Sequence, residues 1–147
     1  MNSYLEITIK AAMEAGKEIL KVYHTDFDVE YKKDASPLTL ADKNAHDIII
    51  SYLRKTNIPV LSEEGKDILY SKRKNLNLLW IVDPLDGTKE FVKKNGEFTV
   101  NIALVKKGKP VLGVVYAPVL DVLYYGEETH GAYKLEKASS YTDIQDV

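Results

Sequence analysis

The apolar periodicity of this chain changes once, and that change constrains the fold more than any other feature. Leu5, Ile9, Ala12, Gly16, Ile19 and Tyr23 recur at spacings of three and four, which predicts one apolar stripe along a long helix. Thr39 suits an N-cap, and Ala41, Ala45, Ile48, Tyr52 and Leu53 supply the buried face of a second helix, with Asp42 in its first turn, where a carboxylate suits the helix dipole. Between the two, Val29 to Lys32 reads as a short strand and Asp34-Ala35-Ser36-Pro37 as a loop. From Ile58 onward the stripe gives way to short runs rich in Val, Ile and Tyr. Ile58-Pro59-Val60-Leu61 enters the acidic Ser62-Glu63-Glu64-Gly65, Asp67 to Lys74 suits a short helix, and Leu78-Leu79-Trp80-Ile81-Val82 reads as a strand buried on both faces that ends at Asp83.

Phe98 to Lys106, Val111 to Ala117, Val122 to Tyr125 and Ala132 to Leu135 follow, separated by turn residues such as Lys107-Gly108-Lys109-Pro110, the pattern of an antiparallel meander. Two helices followed by consecutive strands argue for an α+β fold with the helices on one face of a mainly antiparallel sheet, rather than for alternating βαβ units. The length of 147 residues suits a single domain, 1–147, and neither a repeat nor a linker divides it.

Composition narrows the chemistry. With no cysteine there is no disulfide, thiolate nucleophile or Cys-ligated zinc, and three scattered histidines argue against a His-rich metal site, so oxygen must hold any metal. The net charge of −2 disfavours nucleic acid as a partner, and Lys72-Arg73-Lys74 and Lys106-Lys107-Gly108-Lys109 read as solvated turns. The first residues lack a signal-peptide pattern and no run approaches the roughly 18 apolar residues of a membrane span. The default location is cytoplasmic, with peripheral membrane association left open.

The chemistry concentrates at Asp83-Pro84-Leu85-Asp86-Gly87-Thr88, where two carboxylates end a buried strand, Pro84 stiffens the turn and Gly87 permits close backbone approach. Magnesium takes hard oxygen ligands and is typically held by one or two carboxylates plus substrate phosphate. A short helix starting near Thr88 would turn the amides of Gly87 and Thr88 towards phosphate oxygens. Taken alone, Asp86-Gly87 is also a common turn dipeptide, Glu63-Glu64 a common solvated pair and Asp42 an ordinary helix residue. The three elements gain weight together.

Leu40-Ala41-Asp42, Leu61-Ser62-Glu63-Glu64 and Trp80 through Thr88, in this order, resemble the inositol monophosphatase family of magnesium-dependent phosphatases. Lys89-Glu90-Phe91 and the run Asn95 to Leu104 resemble its bacterial CysQ-type branch, the 3'(2'),5'-bisphosphate nucleotidases. The resemblance runs from the first helix to Tyr133 and implies the N-terminal, metal-binding half of the sugar-phosphatase fold.

It further implies that Glu63, Asp83 and the Leu85 carbonyl bind one Mg2+, that Asp83 and Asp86 contribute to a second, and that Glu63 holds waters of a third. The implied catalytic residues are Asp42, Glu63 and Thr88, the Thr88 hydroxyl pairing with Asp42 to orient and deprotonate the attacking water while the metals lower that water's pKa. Glu63, Leu85, Asp86, Gly87 and Thr88 form the implied substrate-contacting set, Glu64 a support, and Lys32 reads as a surface lysine. The implied substrate is adenosine 3',5'-bisphosphate, a small phosphorylated nucleotide.

Relatives continue into a second half with a Trp-Asp motif that completes the second metal site, whereas Trp80, the only tryptophan here, precedes Ile81. The expectation is weak turnover by this chain alone, with self-association through the surface that half would cover. An inositol or sugar monophosphatase domain, and a non-catalytic metal- or partner-binding fragment, are the alternative readings.

Overall fold

The computed structural model describes residues 3–25, 36–65 and 67–141. The strand expected at Val29 to Lys32, together with Asp34 and Ala35, lies outside the described residues. Helix α1 spans Ser3–Tyr23, and all six residues of its sequence stripe are buried. Gly16 is the closest point of the packing: a Cβ there would stand 2.5 Å from the Tyr116 ring, so glycine is what lets the helix lie against the sheet.

Helix α2 spans Pro37–Leu53 and starts earlier than the sequence suggests. Ser36, not Thr39, is the N-cap: its Oγ accepts from the Thr39 N–H at 3.0 Å, and Pro37 occupies the first turn, where no N–H is needed. Asp42 therefore sits in the second turn, beyond the strongest reach of the helix terminus. The buried face is Ala41, Ala45, Ile49 and Leu53, with Ile48 and Tyr52 only partly covered at its margin.

Six strands form one sheet in chain order: β1 Val60–Ser62, β2 Leu78–Asp86, β3 Thr99–Lys106, β4 Lys109–Ala117, β5 Val122–Glu127 and β6 Gly131–Glu136. The pairs from β2 to β6 are antiparallel, as the meander pattern implies, but β1 and β2 run parallel. The crossover between these two carries a single-turn helix, α3, at Tyr70–Arg73. Helices α1 and α2 pack on one face of the sheet, giving an α+β arrangement.

The core lies between helices and sheet. Trp80 is fully buried, meets Tyr4 edge-on and donates its indole N–H to Thr56 Oγ1 at 3.0 Å. Val82, Val100, Ile102, Leu104 and Val114 continue the inward face. The opposite face is open, which corrects the expectation of a β2 strand buried on both sides: Ile81 is 42% exposed because no described element covers it. Along that face the register aligns Ile81 with the small residues Ala103, Gly113, Gly126 and Ala132, and Ile81, Ala103, Gly113 and Ala132 line a trough of about 660 Å³.

A five-residue helix, α4 at Thr88–Val92, follows β2 directly. Phe91 on α4, Phe98 and Tyr23 pack on one another at ring-centroid distances of 5.0–5.5 Å, which seats the turn at Gly87 beneath the end of α1. Among the described residues no helix is long and apolar enough to cross a membrane.

Candidate active site

The parallel register of β1 and β2 pairs Ser62 with Val82, so the residues that follow, Glu63 and Asp83, leave the same edge of the sheet side by side. The Glu63 N–H donates to the Val82 carbonyl at 3.3 Å and ties the two strand ends together. Parallel strand direction thus brings Glu63 to the Asp83 turn.

Asp86 is three positions beyond Asp83, and in an unbroken strand that odd spacing would point the two carboxylates to opposite faces. Here Asp83 pairs with Asn101 and Asp86 with Thr99, so β2 uses three steps where β3 uses two. This bulge reverses the alternation and puts both carboxylates on the open face of the sheet. Pro84 and Leu85, the residues between, are buried. Gly87 then turns the chain at φ 96°, where a Cβ would stand 3.0 Å from the Glu97 carbonyl oxygen, and α4 begins at Thr88.

Asp42 reaches the same region from α2. Its Oδ1 is buried and makes no hydrogen bond. Burial, then hydrogen bonding and repulsion from the Glu64 carboxyl, then the charges of Asp83 and Glu63, push its pKa up to about 8. Burial and the charges of Glu63 and Asp86 raise Asp83 to about 6, against the pull of the Leu85 N–H. The direction is the same for both: this is a pocket of negative potential, and the buried orphan oxygen of Asp42 is a feature a cation would satisfy. Among the described residues none of Asp42, Glu63, Glu64, Asp83 and Asp86 has an ion-pair partner.

The structure therefore gathers Asp42, Glu63, Glu64 and Asp83 electrostatically and turns Asp86 to the same face. It does not join Thr88 to Asp42: Thr88 is exposed and its hydroxyl makes no hydrogen bond among the described residues. Nor do three acidic or histidine side chains among the described residues converge into a finished metal-ligand set. The residues present fit a divalent cation by charge and by donor type, as part of a site.

Two features have no counterpart in the sequence reading. Asn101 donates from Nδ2 to Asp86 Oδ2 at 3.1 Å and accepts on Oδ1 from the Thr99 hydroxyl at 3.1 Å. The only sequence signal is alternation, since Val100, Ile102 and Leu104 fix one face of β3 and leave Thr99 and Asn101 on the other. His46, four residues after Asp42, contacts Ser62 beside the Glu63 turn.

The family model for inositol monophosphatases matches residues 1–145. This chain belongs to the inositol monophosphatase family. Among curated proteins it is 54% identical over 128 residues to the 3'(2'),5'-bisphosphate nucleotidase CysQ of Salmonella typhimurium, covering 84% of this chain and 52% of the relative. Over 144 residues it is 46% identical to the CysQ of Buchnera aphidicola, covering 95% of this chain and 54% of that one.

Among solved structures, CysQ from Bacteroides thetaiotaomicron superposes with a TM-score of 0.86 at 53% identity, over 91% of this chain and 49% of that one. The extragenic suppressor protein suhB from Bartonella henselae gives 0.74 at 32% identity, over 90% and 51%. The chain spans about half the length of the curated relatives it matches. The family and the α+β arrangement expected from sequence are thus both found.

Proposed function

We propose that this chain forms the metal-binding half of a magnesium-dependent phosphatase that removes the 3'-phosphate of adenosine 3',5'-bisphosphate. The observation that carries the reading is the β2 bulge, which turns Asp86 to the face of Asp83, where strand register also brings Glu63. Glu63, Asp83, Asp86 and the Leu85 carbonyl are the groups that would hold Mg2+. When bound, such ions stabilise charge on the leaving oxygen and acidify water.

The chain's own groups supply positioning. Asp42 takes the proton of the attacking water, with the Thr88 hydroxyl orienting that water and the Gly87 and Thr88 amides holding the phosphate. The water oxygen bonds to phosphorus as the bond to the ribose 3'-oxygen breaks, with no phosphoenzyme, and the departing oxygen takes a proton from solvent to become the 3'-hydroxyl. Asn101 keeps Asp86 facing the site. Uncatalysed phosphate-monoester hydrolysis requires on the order of 20 kcal/mol of barrier lowering, and bound ions, for which the described carboxylates form only part of a ligand set, are the proposed source of most of it. Turnover by this chain alone is accordingly weak in this reading.

Identity favours a nucleotide over an inositol phosphate as substrate, since the chain is 53% identical to CysQ from Bacteroides thetaiotaomicron and 33% identical to inositol monophosphatase II from Staphylococcus aureus. The exposed Ile81, Val115 and Tyr124 of the open face support the self-association suggested by sequence. Calorimetric titration with Mn2+ tests the metal reading directly: binding by the wild-type chain and its loss in Asp83→Asn are the expected results. A wild-type chain that binds no divalent ion sinks it. Phosphate release from adenosine 3',5'-bisphosphate and from inositol 1-phosphate, measured on a protein of the family's full length carrying this sequence, separates the two substrates.

A further inference from the structure

Ser62 ends β1 immediately before Glu63 and is 4% exposed. Its hydroxyl lies 2.9 Å from Nδ1 of His46, one helical turn beyond Asp42 on α2. The same oxygen accepts from the Glu64 N–H at 3.4 Å, while the Gly65 N–H donates to the Ser62 carbonyl at 3.2 Å and closes the turn. The imidazole fills the space beneath that turn: a Cβ on Gly65 would stand 3.3 Å from His46 Cε1. Ser62 is too enclosed to act as a nucleophile, so the pair is not the start of a hydrolytic triad.

We propose that His46 is a positioning residue which, through the Ser62 hydroxyl, fixes the turn that presents Glu63 and Glu64. The need is electrostatic. Both glutamates are exposed and both repel Asp83, and although Glu64 also hydrogen-bonds Asp42, repulsion from Asp83 would draw the turn away from β2 without a tether. Val82 restrains the turn from β2 through the Glu63 N–H, and His46 restrains it from α2. The turn is thereby held between the helix that carries Asp42 and the strand that carries Asp83. The importance of this tether for metal binding rests on the function proposed above; the tether itself does not.

Amide hydrogen exchange at Glu63 and Gly65, measured by NMR on the metal-free chain, tests it. His46→Ala and Ser62→Ala should each speed exchange at the turn on the order of 10-fold, and the double variant no further, because both remove one link. His46→Asn, which retains a polar side-chain group to meet Ser62, should stay within about 2-fold of wild type. Val100 and Ile102 in β3 should keep their wild-type exchange, which separates local loosening from a general loss of stability. Unchanged exchange at the turn, additive effects, turn and core amides accelerating together, or a wild-type turn with no protection would each overturn the tether.

Mn2+ titration of the same variants reads its consequence, with affinity expected to fall about 10-fold in Ser62→Ala. Undiminished affinity in that variant overturns the link to metal binding. A wild-type chain that fails to bind Mn2+ counts against the metal reading, while the exchange comparison still decides the tether.

Discussion

Asp83 and Asp86 share one face of the sheet although their separation in sequence would place them on opposite faces, because β2 gains a residue against β3 between them. Asp86 is also tied to β3 by the Asn101 side chain, which is itself oriented by the Thr99 hydroxyl. The bulge sets the direction of the carboxylate, and Asn101 holds its rotamer.

Removing that hold should weaken metal binding more than it weakens the fold. Asn101→Ala leaves Asp86 free to turn to solvent and should cost about 10-fold in Mn2+ affinity, the scale typical of groups that orient a ligand. Asn101→Asp also removes the donor but adds a carboxylate beside a cation site, so its Mn2+ affinity should fall less than that of Asn101→Ala. Calorimetry on the two variants gives the order. Equal affinity for wild type and Asn101→Ala would show that Asp86 needs no such support.

The raised pKa values predict a pH dependence with a definite sign. Asp42 titrates near 3.8 when unfolded and about 8 in the metal-free fold, so between those values the folded state binds the extra proton. Stability should therefore be highest at the acid end of this window, fall as pH rises through it, and level off above about 8. Asp83, at about 6, adds to the same slope. Asp42→Asn should flatten the profile and raise the thermal midpoint at neutral pH, as followed by circular dichroism from pH 5 upward. A wild-type midpoint that rises across the window would contradict the placement of these carboxylates.

Much of this arrangement is legible in the sequence, and the gaps have physical reasons. The helical stripe of α1 can be read locally because a periodic apolar face states its own burial. The apolar run through Ile81 cannot, since a continuous run does not say whether both faces are covered. Thr39 looks like a cap until Pro37 is seen to start the helix one turn earlier. Asp83 and Glu63 can be picked out as strand-end carboxylates, yet their adjacency depends on parallel pairing. Alternation shows Asn101 only as a residue on the outward face of β3, because its role exists through a bulge on another strand.

Gly16 offers a test of how tightly the helices sit on the sheet. An added Cβ would meet Tyr116 at 2.5 Å, and that ring cannot swing aside easily because it is buried and its hydroxyl donates to Asp121 at 2.8 Å. Asp121 is in turn held by the Ser139 amide and hydroxyl. Alanine is the better helix former, so propensity alone predicts a gain in stability. Overpacking should win, with Gly16→Ala losing about 1–3 kcal/mol in urea unfolding. The double change Gly16→Ala with Tyr116→Leu, which removes the ring, should recover part of that loss; further destabilisation would mean that the ring is not the obstacle.

Gly87 combines both reasons for a glycine in one position. Its φ of 96° is unfavourable for any side chain, and the Glu97 carbonyl at 3.0 Å and Phe98 Cα at 3.1 Å leave no room for a methyl group. Neither obstacle is a flexible side-chain end: both are backbone at the entry to β3. Gly87→Ala should therefore cost at least about 1 kcal/mol of stability from backbone conformation alone. To escape the contact the turn must also shift, carrying Asp86 and the start of α4 with it. The expected signature is a lowered urea midpoint together with weaker Mn2+ binding, whereas Gly108→Ala, at similar φ but with open space around it and far from the carboxylates, should lower the midpoint and leave Mn2+ affinity unchanged. Should Gly87→Ala bind Mn2+ as well as wild type, the position of this turn would not be what sets the metal site.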